Sequence, residues 1–193
     1  MGLENTPWHG QHRGANLNQN SYPSNRMKRH ELIDPSAIKQ TTVLLAEDHL
    51  SLRKCLKSLV EADGDITVVE EAKNGCVAVH LAKSLKPEVV VMDLAMPLLN
   101  GLEATRQIMQ ISPATRVLIL SAHPDPEYIR QAVIVGASGY LVKQTSTQFL
   151  AQAIHEVCKG NTFFSPSISK SLRDECQRIF GKVELLKKKS VRR

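Results

Sequence analysis

The chain has 193 residues, of which 42% are hydrophobic, which is enough for one good-sized domain with additional segments. No apolar run approaches the roughly 20 residues of a transmembrane helix, and the N-terminus lacks the apolar core of a secretory signal. From these features we expect no membrane insertion, and we predict a cytoplasmic protein.

The formal net charge of +6 is unevenly distributed along the chain. Residues 1–40 contain 5 basic and 3 acidic side chains, residues 41–160 contain 11 and 13, and residues 161–193 contain 9 and 3. A slightly acidic body is therefore followed by a basic tail. Non-specific contact of this tail with nucleic acid is one interpretation, but a solvated helix end is favoured.

The four cysteines are candidates for disulfide or metal chemistry, and the sequence favours neither. They show no Cys-x-x-Cys spacing, and three of the four fall on predicted core helices. We therefore expect reduced, structural thiols at these positions, which are Cys55, Cys76, Cys158 and Cys176.

Residues 1–40 are rich in Asn, Gln, His, Gly, Pro and Ser, and their apolar residues show no period. Such a segment lacks the apolar surface that would offset the entropy of ordering, so we predict a disordered extension. His9 and His12 have no further ligands nearby in the sequence, which disfavours a metal site there.

From Thr41 onward, apolar strand-like segments alternate five times with amphipathic helical segments. This (βα)5 alternation predicts a parallel sheet with right-handed crossovers and helices on both faces. Because a closed eightfold barrel needs roughly 250 residues, we predict a doubly wound, open three-layer α/β sandwich. The predicted strands are residues 43–46, 66–69, 89–92, 117–120 and 140–142.

The last part of the chain departs from this pattern. Residues 161–166 predict a loop, and Ser165, Ser167 or Ser169 is expected to cap a final helix. The apolar stripe of that helix is imperfect and is interrupted by Gly181. The stripe comprises Ile168, Leu172, Ile179, Val183 and Leu186.

The most informative stretch is PEVVVMDLAMPLLNG, residues 87–101. Four apolar residues run directly into Asp93, which predicts a carboxylate at the C-terminal end of a strand that is covered on both faces. Pro97 then blocks helix continuation, and Asn100 with Gly101 supplies turn chemistry. Open α/β sheets place ligands and reactions at this rim.

Other polar residues directly follow predicted strands: Glu47 and Asp48 the first, Ser121 the fourth and Lys143 the fifth. Because parallel strands share one carboxyl edge, these residues should converge with Asp93. Three carboxylates together require either a proton or a cation, and Mg²⁺ is the hard divalent ion that fits best. Lys143 and Ser121 suit a phosphoryl group as a charge and a hydroxyl donor. Any one of these positions alone is better explained by a polar loop, whereas the whole set at the ends of four strands favours a functional site.

The motifs LLAEDH, VVVMDLAMPLLNG, VLILSAH and GASGYLVK, in this order, resemble the receiver domain of two-component response regulators. The resemblance covers residues 41–160, between the extension 1–40 and a linker-like helix with a basic tail at 161–193. It implies a flavodoxin-like sheet with strand order 2-1-3-4-5 and a phosphoacceptor protein that is not an enzyme. A sensor histidine kinase or a phosphotransfer protein would supply the phosphoryl group, which would switch a protein-interaction surface.

The resemblance also implies residue roles at the acidic rim. Asp93 would be the phosphoacceptor and a magnesium ligand. Asp48 would bind the ion directly, Glu47 would bind it through water, and the backbone carbonyl of Ala95 would complete the protein's share of the shell. Glu47 stands where the family usually has Asp, and its longer side chain suits an outer role.

The remaining implied roles concern phosphate binding and switching. Lys143 would contact the acyl phosphate, Ser121 would be the switch hydroxyl and Tyr140 the switch aromatic. For Tyr140, a partly buried aromatic at the sheet edge is an equally good interpretation. Gln144 follows Lys143 where many receivers have proline, so the cis peptide often found there is not expected.

The sequence motifs AEDH, NGLEATRQI and GASGYLVK are most similar to those of the subfamily that usually carries a LuxR-type helix-turn-helix. The residues after Gly160 are too few for a linker and a four-helix DNA reader, so we expect no sequence-specific DNA-binding module. The chain would be either a stand-alone receiver or a shortened relative. Output by phosphorylation-dependent homodimerisation or partner binding is expected through the face near Asp125, Tyr140 and Phe149.

The sequence disfavours two other function classes. A flavin-binding protein or small enzyme on this fold would need a phosphate-cradling loop after the first strand, where EDHLSLRK offers acids instead. An interaction module that works without phosphorylation is disfavoured because every reactive group is present.

Overall fold

The computed structural model describes residues 40–190. The extension predicted for residues 1–40 therefore lies, apart from Gln40, outside the described residues. In the described part, strands and helices alternate along the chain, with a 3₁₀ turn at Lys143–Thr145. The elements are β1 Thr41–Ala46, α1 Leu50–Glu61, β2 Ile66–Ala72, α2 Gly75–Leu85, β3 Val89–Asp93, α3 Gly101–Ile111, β4 Arg116–Ser121, α4 Pro126–Ile134, β5 Gly139–Val142, α5 Ser146–Cys158, β6 Phe163–Phe164 and α6 Lys170–Ser190.

The strands form one parallel sheet in the order β2-β1-β3-β4-β5-β6. The predicted doubly wound fold and the implied order of the first five strands are confirmed. Strand β3 lies inside the sheet, where Val91 is paired with Leu45 on one side and Leu118 on the other. All its residues are buried, as its continuous apolar sequence predicts.

Two apolar layers cover the sheet, because successive side chains of a strand point to opposite faces. Val90 and Met92 of β3 belong to the layer that contains buried residues of α2, α3, α4 and α6. Val89 and Val91 belong to the opposite layer, which is closed by α1 and α5. The two layers leave the carboxyl ends of the strands as a polar edge.

The loop predicted for residues 161–166 is wrong, because this segment contains β6. The amide of Phe163 donates to the carbonyl of Ser138 at 3.3 Å, and the amide of Ser165 donates to the carbonyl of Tyr140 at 3.0 Å. A strand of two residues is too short to produce an apolar period in the sequence. Because β6 covers β5, Tyr140 is fully buried, and its interpretation as a partly buried edge aromatic is also wrong.

Helix α6 packs against α4 and continues the helical layer beside it. Of the three serines predicted as caps, Ser169 starts the helix, accepting the amide of Leu172 at 3.4 Å. Ion pairs fix the helix along its length: Arg130 Nε lies 2.9 Å from Glu175 Oε1, and Arg116 Nη1 lies 3.4 Å from Glu184 Oε1. The C-terminal helix is therefore part of the folded body.

The predicted apolar stripe of α6 is only partly right. The helix runs through Gly181 without interruption, and its buried positions recur every four residues at Leu172, Cys176 and Phe180. Leu186 is 66% exposed, although the stripe included it. The helix packs through the i+4 ridge that faces α4. The predicted stripe omitted two residues of that ridge, Cys176 and Phe180.

The cysteines occupy the predicted helices, but only one is buried. Cys55, Cys76 and Cys158 are exposed on α1, α2 and α5, whereas Cys176 is buried against α4. Burial raises the pKa of the Cys176 thiol. In the described part of the chain, no helix is both long and apolar enough to cross a membrane.

The packing of α6 predicts unequal effects of two leucine truncations in the same helix. Leu172 is 7% exposed, so Leu172→Ala should lower the free energy of unfolding by about 2–5 kcal/mol. Leu185 is 61% exposed, so Leu185→Ala, the matched control, should change it by less than about 0.5 kcal/mol. Urea unfolding followed by circular dichroism measures both. Equal small changes would show that α6 does not belong to the cooperative core.

Candidate functional site

Sheet register brings the predicted site residues together at one edge. Ala46, which precedes Glu47, is paired with Met92, which precedes Asp93. On the other side of β3, Asp93 is opposite Leu120, and in the next pair of strands Ser121 is opposite Val142, which precedes Lys143. The predicted convergence of these strand ends is confirmed.

The centre of the site is a lysine between two buried carboxylates. Lys143 Nζ donates to Glu47 Oε2 and lies within the same distance, 2.9 Å, of Asp93 Oδ1. Glu47 is fully buried, Asp93 nearly so, and the Lys143 side chain is 20% exposed. Burial alone would lower the pKa of Lys143, but the hydrogen bonds and charges of Glu47 and Asp93 outweigh it and raise the pKa. Lys143 therefore stays charged at neutral pH.

Asp48 differs from its neighbours, since one carboxylate oxygen has no hydrogen-bond donor. Asp48 Oδ1 is buried and accepts no hydrogen bond; Nδ1 of the exposed His49 imidazole lies 2.8 Å away. The second Glu47 oxygen, Oε1, accepts the amide of His49 at 3.2 Å. The Arg53 guanidinium donates to the Glu47 carbonyl at 2.6 Å, which holds the loop from behind.

The loop after β3 is built so that α3 begins directly beside Asp93. Asn100 caps the helix by accepting the amide of Glu103 at 2.9 Å. Gly101 lies so close to β3 that an added Cβ would collide with the carbonyl oxygen of Asp93. The residues predicted as a turn therefore act as a helix cap and a close-approach glycine. Within the loop, the amide of Ala95 donates to Asp93 Oδ1 at 3.3 Å.

Ser121 and Tyr140 share one partner. The Ser121 hydroxyl donates to the carbonyl of His123 at 3.2 Å, and the Tyr140 hydroxyl donates to the same oxygen at 2.8 Å. The His123 amide in turn donates to Ser121 Oγ at 3.3 Å. Burial raises the pKa of Tyr140, so its hydroxyl remains a donor at neutral pH.

A cleft of about 360 Å³ opens beside these residues. The cleft is lined by Asp93, Ser121 and Lys143, and by residues of the neighbouring loops and of α4. The sequence did not indicate His123 and Tyr128 as wall residues, since neither directly follows a strand, and it indicated Asn100 only as a turn residue. It did not indicate Arg53 either, which reads as an ordinary polar residue of α1.

Gln144, where many receivers have proline, links two loops of the rim. Its Nε2 donates to the carbonyl of Ala122 at 2.9 Å, joining the loop after β5 to the loop after β4. The described residues contain no cis peptide bond, in agreement with the expectation at this position. The substitution therefore adds a contact between the loops that carry Lys143 and Ser121.

This geometry defines an acidic rim around a charged lysine on a doubly wound sheet. Comparison with protein families identifies the class of protein that carries it. Residues 43–155 match the response regulator receiver domain. The chain belongs to this family, and the receiver domain is the phosphoacceptor module of two-component signal transduction. Family members are generally not enzymes.

Curated relatives extend beyond the matched region. The transcriptional regulatory protein YdfI of Bacillus subtilis is 39% identical over 132 residues, covering 68% of this chain and 62% of that protein. The nitrate/nitrite response regulator NarL of Escherichia coli K12 is 38% identical over 136 residues, covering 68% and 63%. The chain thus spans about three fifths of the length of these relatives.

Solved structures agree with the fold. A LuxR-family two-component response regulator from Aurantimonas matches with a TM-score of 0.67 and 34% identity, over 70% of this chain and 97% of that chain. The receiver domain of the putative response regulator NarL from Mycobacterium tuberculosis matches with a TM-score of 0.62 and 30% identity, over 64% and 99%. The predicted family and fold class are confirmed.

The buried position of Lys143 predicts a large stability loss when its charge is removed. Lys143→Met leaves Glu47 and Asp93 without a counterion, and the free energy of unfolding at pH 7.5 should fall by about 3 kcal/mol. Lys57→Met is the matched control, because Lys57 is 37% exposed and pairs with Glu71 at the surface. The control should cost less than about 1 kcal/mol. Urea unfolding of both variants without divalent ions is the measurement, and similar losses would contradict the central role of Lys143.

Proposed function

We propose that Asp93 is the phosphoacceptor of this receiver and that Glu47, Asp48, Ser121 and Lys143 serve its phosphorylation. One observation carries the proposal: Asp93 is buried at the end of β3, beside an open cleft, with Lys143 Nζ 2.9 Å from its carboxylate. A nucleophilic carboxylate must be ionised and must face its substrate. The ion pair favours the first condition and the cleft allows the second.

In the proposed reaction, a carboxylate oxygen of Asp93 attacks the phosphorus of the donor's phosphoryl group. The new O–P bond gives an acyl phosphate as the bond to the leaving group breaks. Lys143 neutralises charge on the phosphoryl oxygens, which it reaches from the position it already occupies beside Asp93. Such a reaction relies on positioning and charge neutralisation more than on covalent chemistry by the protein.

The residues present fit a magnesium ion. Asp48 Oδ1 is buried without a hydrogen bond, which suits an oxygen that binds a cation directly. Glu47 has both oxygens engaged, by Lys143 and by the His49 amide, which suits an outer, water-mediated role. Asp93 and the backbone carbonyl of Ala95 complete the proposed set. When bound, Mg²⁺ would supply charge neutralisation to the phosphoryl group.

Phosphorylation would be transmitted through the shared carbonyl of His123. A phosphoryl group on Asp93 adds acceptor oxygens that compete for the Ser121 hydroxyl. When Ser121 turns toward them, it gives up its bonds to the His123 backbone, leaving Tyr140 as the remaining donor to that carbonyl. The loop before α4 would then move with Ser121, and Tyr140 would act as the switch aromatic.

The proposed partners follow from family membership. A sensor histidine kinase or a phosphotransfer protein in the cytoplasm would donate the phosphoryl group, and the protein itself would act as a switch and not as an enzyme. Output would be phosphorylation-dependent homodimerisation or partner binding. Of the face expected near Asp125, Tyr140 and Phe149, Tyr140 is buried, so we place the output on α4, where Tyr128 and Ile134 are exposed. We propose this output without a sequence-specific DNA-binding module in residues 161–193, where the helix expected to be linker-like instead packs on α4 as α6, after strand β6.

If Asp93 is the phosphoacceptor, the chain should be phosphorylated at one carboxylate only. In the presence of Mg²⁺ and acetyl phosphate, the intact mass of the wild-type chain should increase by one phosphoryl group. Asp93→Asn should show no increase, because an amide is not a nucleophile toward phosphorus. Asp125→Asn, which alters the exposed cap of α4, is the control and should be labelled normally. Labelling of Asp93→Asn to the wild-type extent would overturn the assignment.

The two acidic residues after β1 should contribute unequally to magnesium binding. Asp48→Ala removes the proposed direct ligand, so it should weaken Mg²⁺ binding far more than Glu47→Ala, which removes an outer contact. Isothermal titration of Mg²⁺ into each variant measures the difference. Equal losses would mean that the direct and water-mediated roles are wrongly assigned.

A further inference from the structure

Ser165 carries a buried hydroxyl that contacts the loop after β5, which bears Lys143, and it lies outside the family match. It directly follows β6, it is fully buried, and it lies beyond residue 155, where the match to the receiver domain ends. Its Oγ accepts the backbone amide of Val142 at 2.8 Å and lies 3.1 Å from Thr145 Oγ1. Both partners flank Lys143.

The hydroxyl takes a position that a backbone carbonyl would normally fill. In the β5–β6 ladder, Ser138 and Tyr140 accept amides from β6, and Val142 is the next residue on the same side. A regular parallel ladder would offer Val142 the carbonyl of Ser165. That carbonyl instead accepts the amide of Ile168 at 3.0 Å, because the chain turns after Pro166 toward α6. The Ser165 side chain therefore satisfies a buried amide that would otherwise lack a partner.

This contact fixes the backbone from which Lys143 projects. Lys143 follows Val142 directly and begins a 3₁₀ turn, so it lies just past the end of the β4–β5 ladder. Hydroxyl groups hold the turn: Thr145 Oγ1 donates to the Val142 carbonyl at 2.9 Å, and Ser146 Oγ donates to the Lys143 carbonyl at 2.8 Å. Ser165 is the member of this set that the C-terminal segment contributes.

We infer that Ser165 is a positioning residue for phosphoryl transfer, acting through Lys143. The inference rests on the roles proposed above for Asp93 and Lys143. Lys143 Nζ lies 2.9 Å from both Glu47 and Asp93, at the end of a side chain of limited reach. A shift of its backbone therefore changes where the ammonium group lies relative to the phosphoryl oxygens. Without the Ser165 hydroxyl, the Val142 amide loses its partner and the turn loses its outer support. The β6–α6 segment thereby forms part of the reaction site.

The test is a double-mutant cycle on the full chain with acetyl phosphate as donor. Ser165→Ala should slow phosphorylation on the order of 10-fold, because a small displacement of a catalytic group has a large effect on rate. In the Lys143→Ala background, Ser165→Ala should cause almost no further loss, since its effect passes through the absent ammonium group. Equal slowing in both backgrounds would show that Ser165 only stabilises the fold and would overturn the inference.

Two further variants make the outcome decisive. Ser169→Ala removes the hydroxyl that caps α6 without touching the loop after β5, so it should leave the phosphorylation rate unchanged. Thr145→Val removes the hydroxyl that contacts Ser165 Oγ. This variant should also slow phosphorylation, and it provides the test if Ser165→Ala folds poorly. Asp93→Asn distinguishes this inference from the proposed function. If Asp93→Asn is not labelled while Ser165→Ala and Thr145→Val are phosphorylated at the wild-type rate, this inference is rejected and the proposed function stands.

Discussion

The structure depends on one buried charge arrangement, in which Lys143 lies between Glu47 and Asp93. These residues come from the ends of three different strands, so the arrangement exists only when β1, β3 and β5 are in register. One ammonium group cannot balance the acidic residues of the rim, since Asp48 adds a third carboxylate. The site therefore retains an excess of negative charge, which a divalent cation would relieve and which disfavours an unaccompanied phosphate.

The same arrangement explains why so much of the site was predictable. An apolar run that ends in a polar residue marks the end of a buried strand, and parallel strands with right-handed crossovers place such ends at one edge. The sequence could thus predict that Asp93 and Lys143 lie close together, although they are 50 positions apart in the chain. The family motifs then supplied roles that the residue types alone left open.

What the sequence did not reveal depends on backbone hydrogen bonds and on the choice of helix face. Strand β6 has two residues and leaves no period, and Arg53 and Ser165 act on backbone groups, which no side-chain pattern encodes. In α6, the face that packs includes Cys176 and Phe180, two residues of commonly buried types that the predicted apolar stripe omitted. Tyr140 is buried because β6 covers β5, so its burial could not be predicted without β6.

The short strand β6 also affects how the folded protein meets other copies of itself. Strand β5, Gly139–Val142, is buried throughout, and as a free edge it would present unpaired amides beside apolar side chains. Such an edge is a template for pairing with another chain and hence for aggregation. In the described part of the chain, β6 occupies that edge with two residues and is followed by Pro166, which has no amide to donate. The C-terminal segment thus ends the sheet in a form that resists further strand addition and favours solubility.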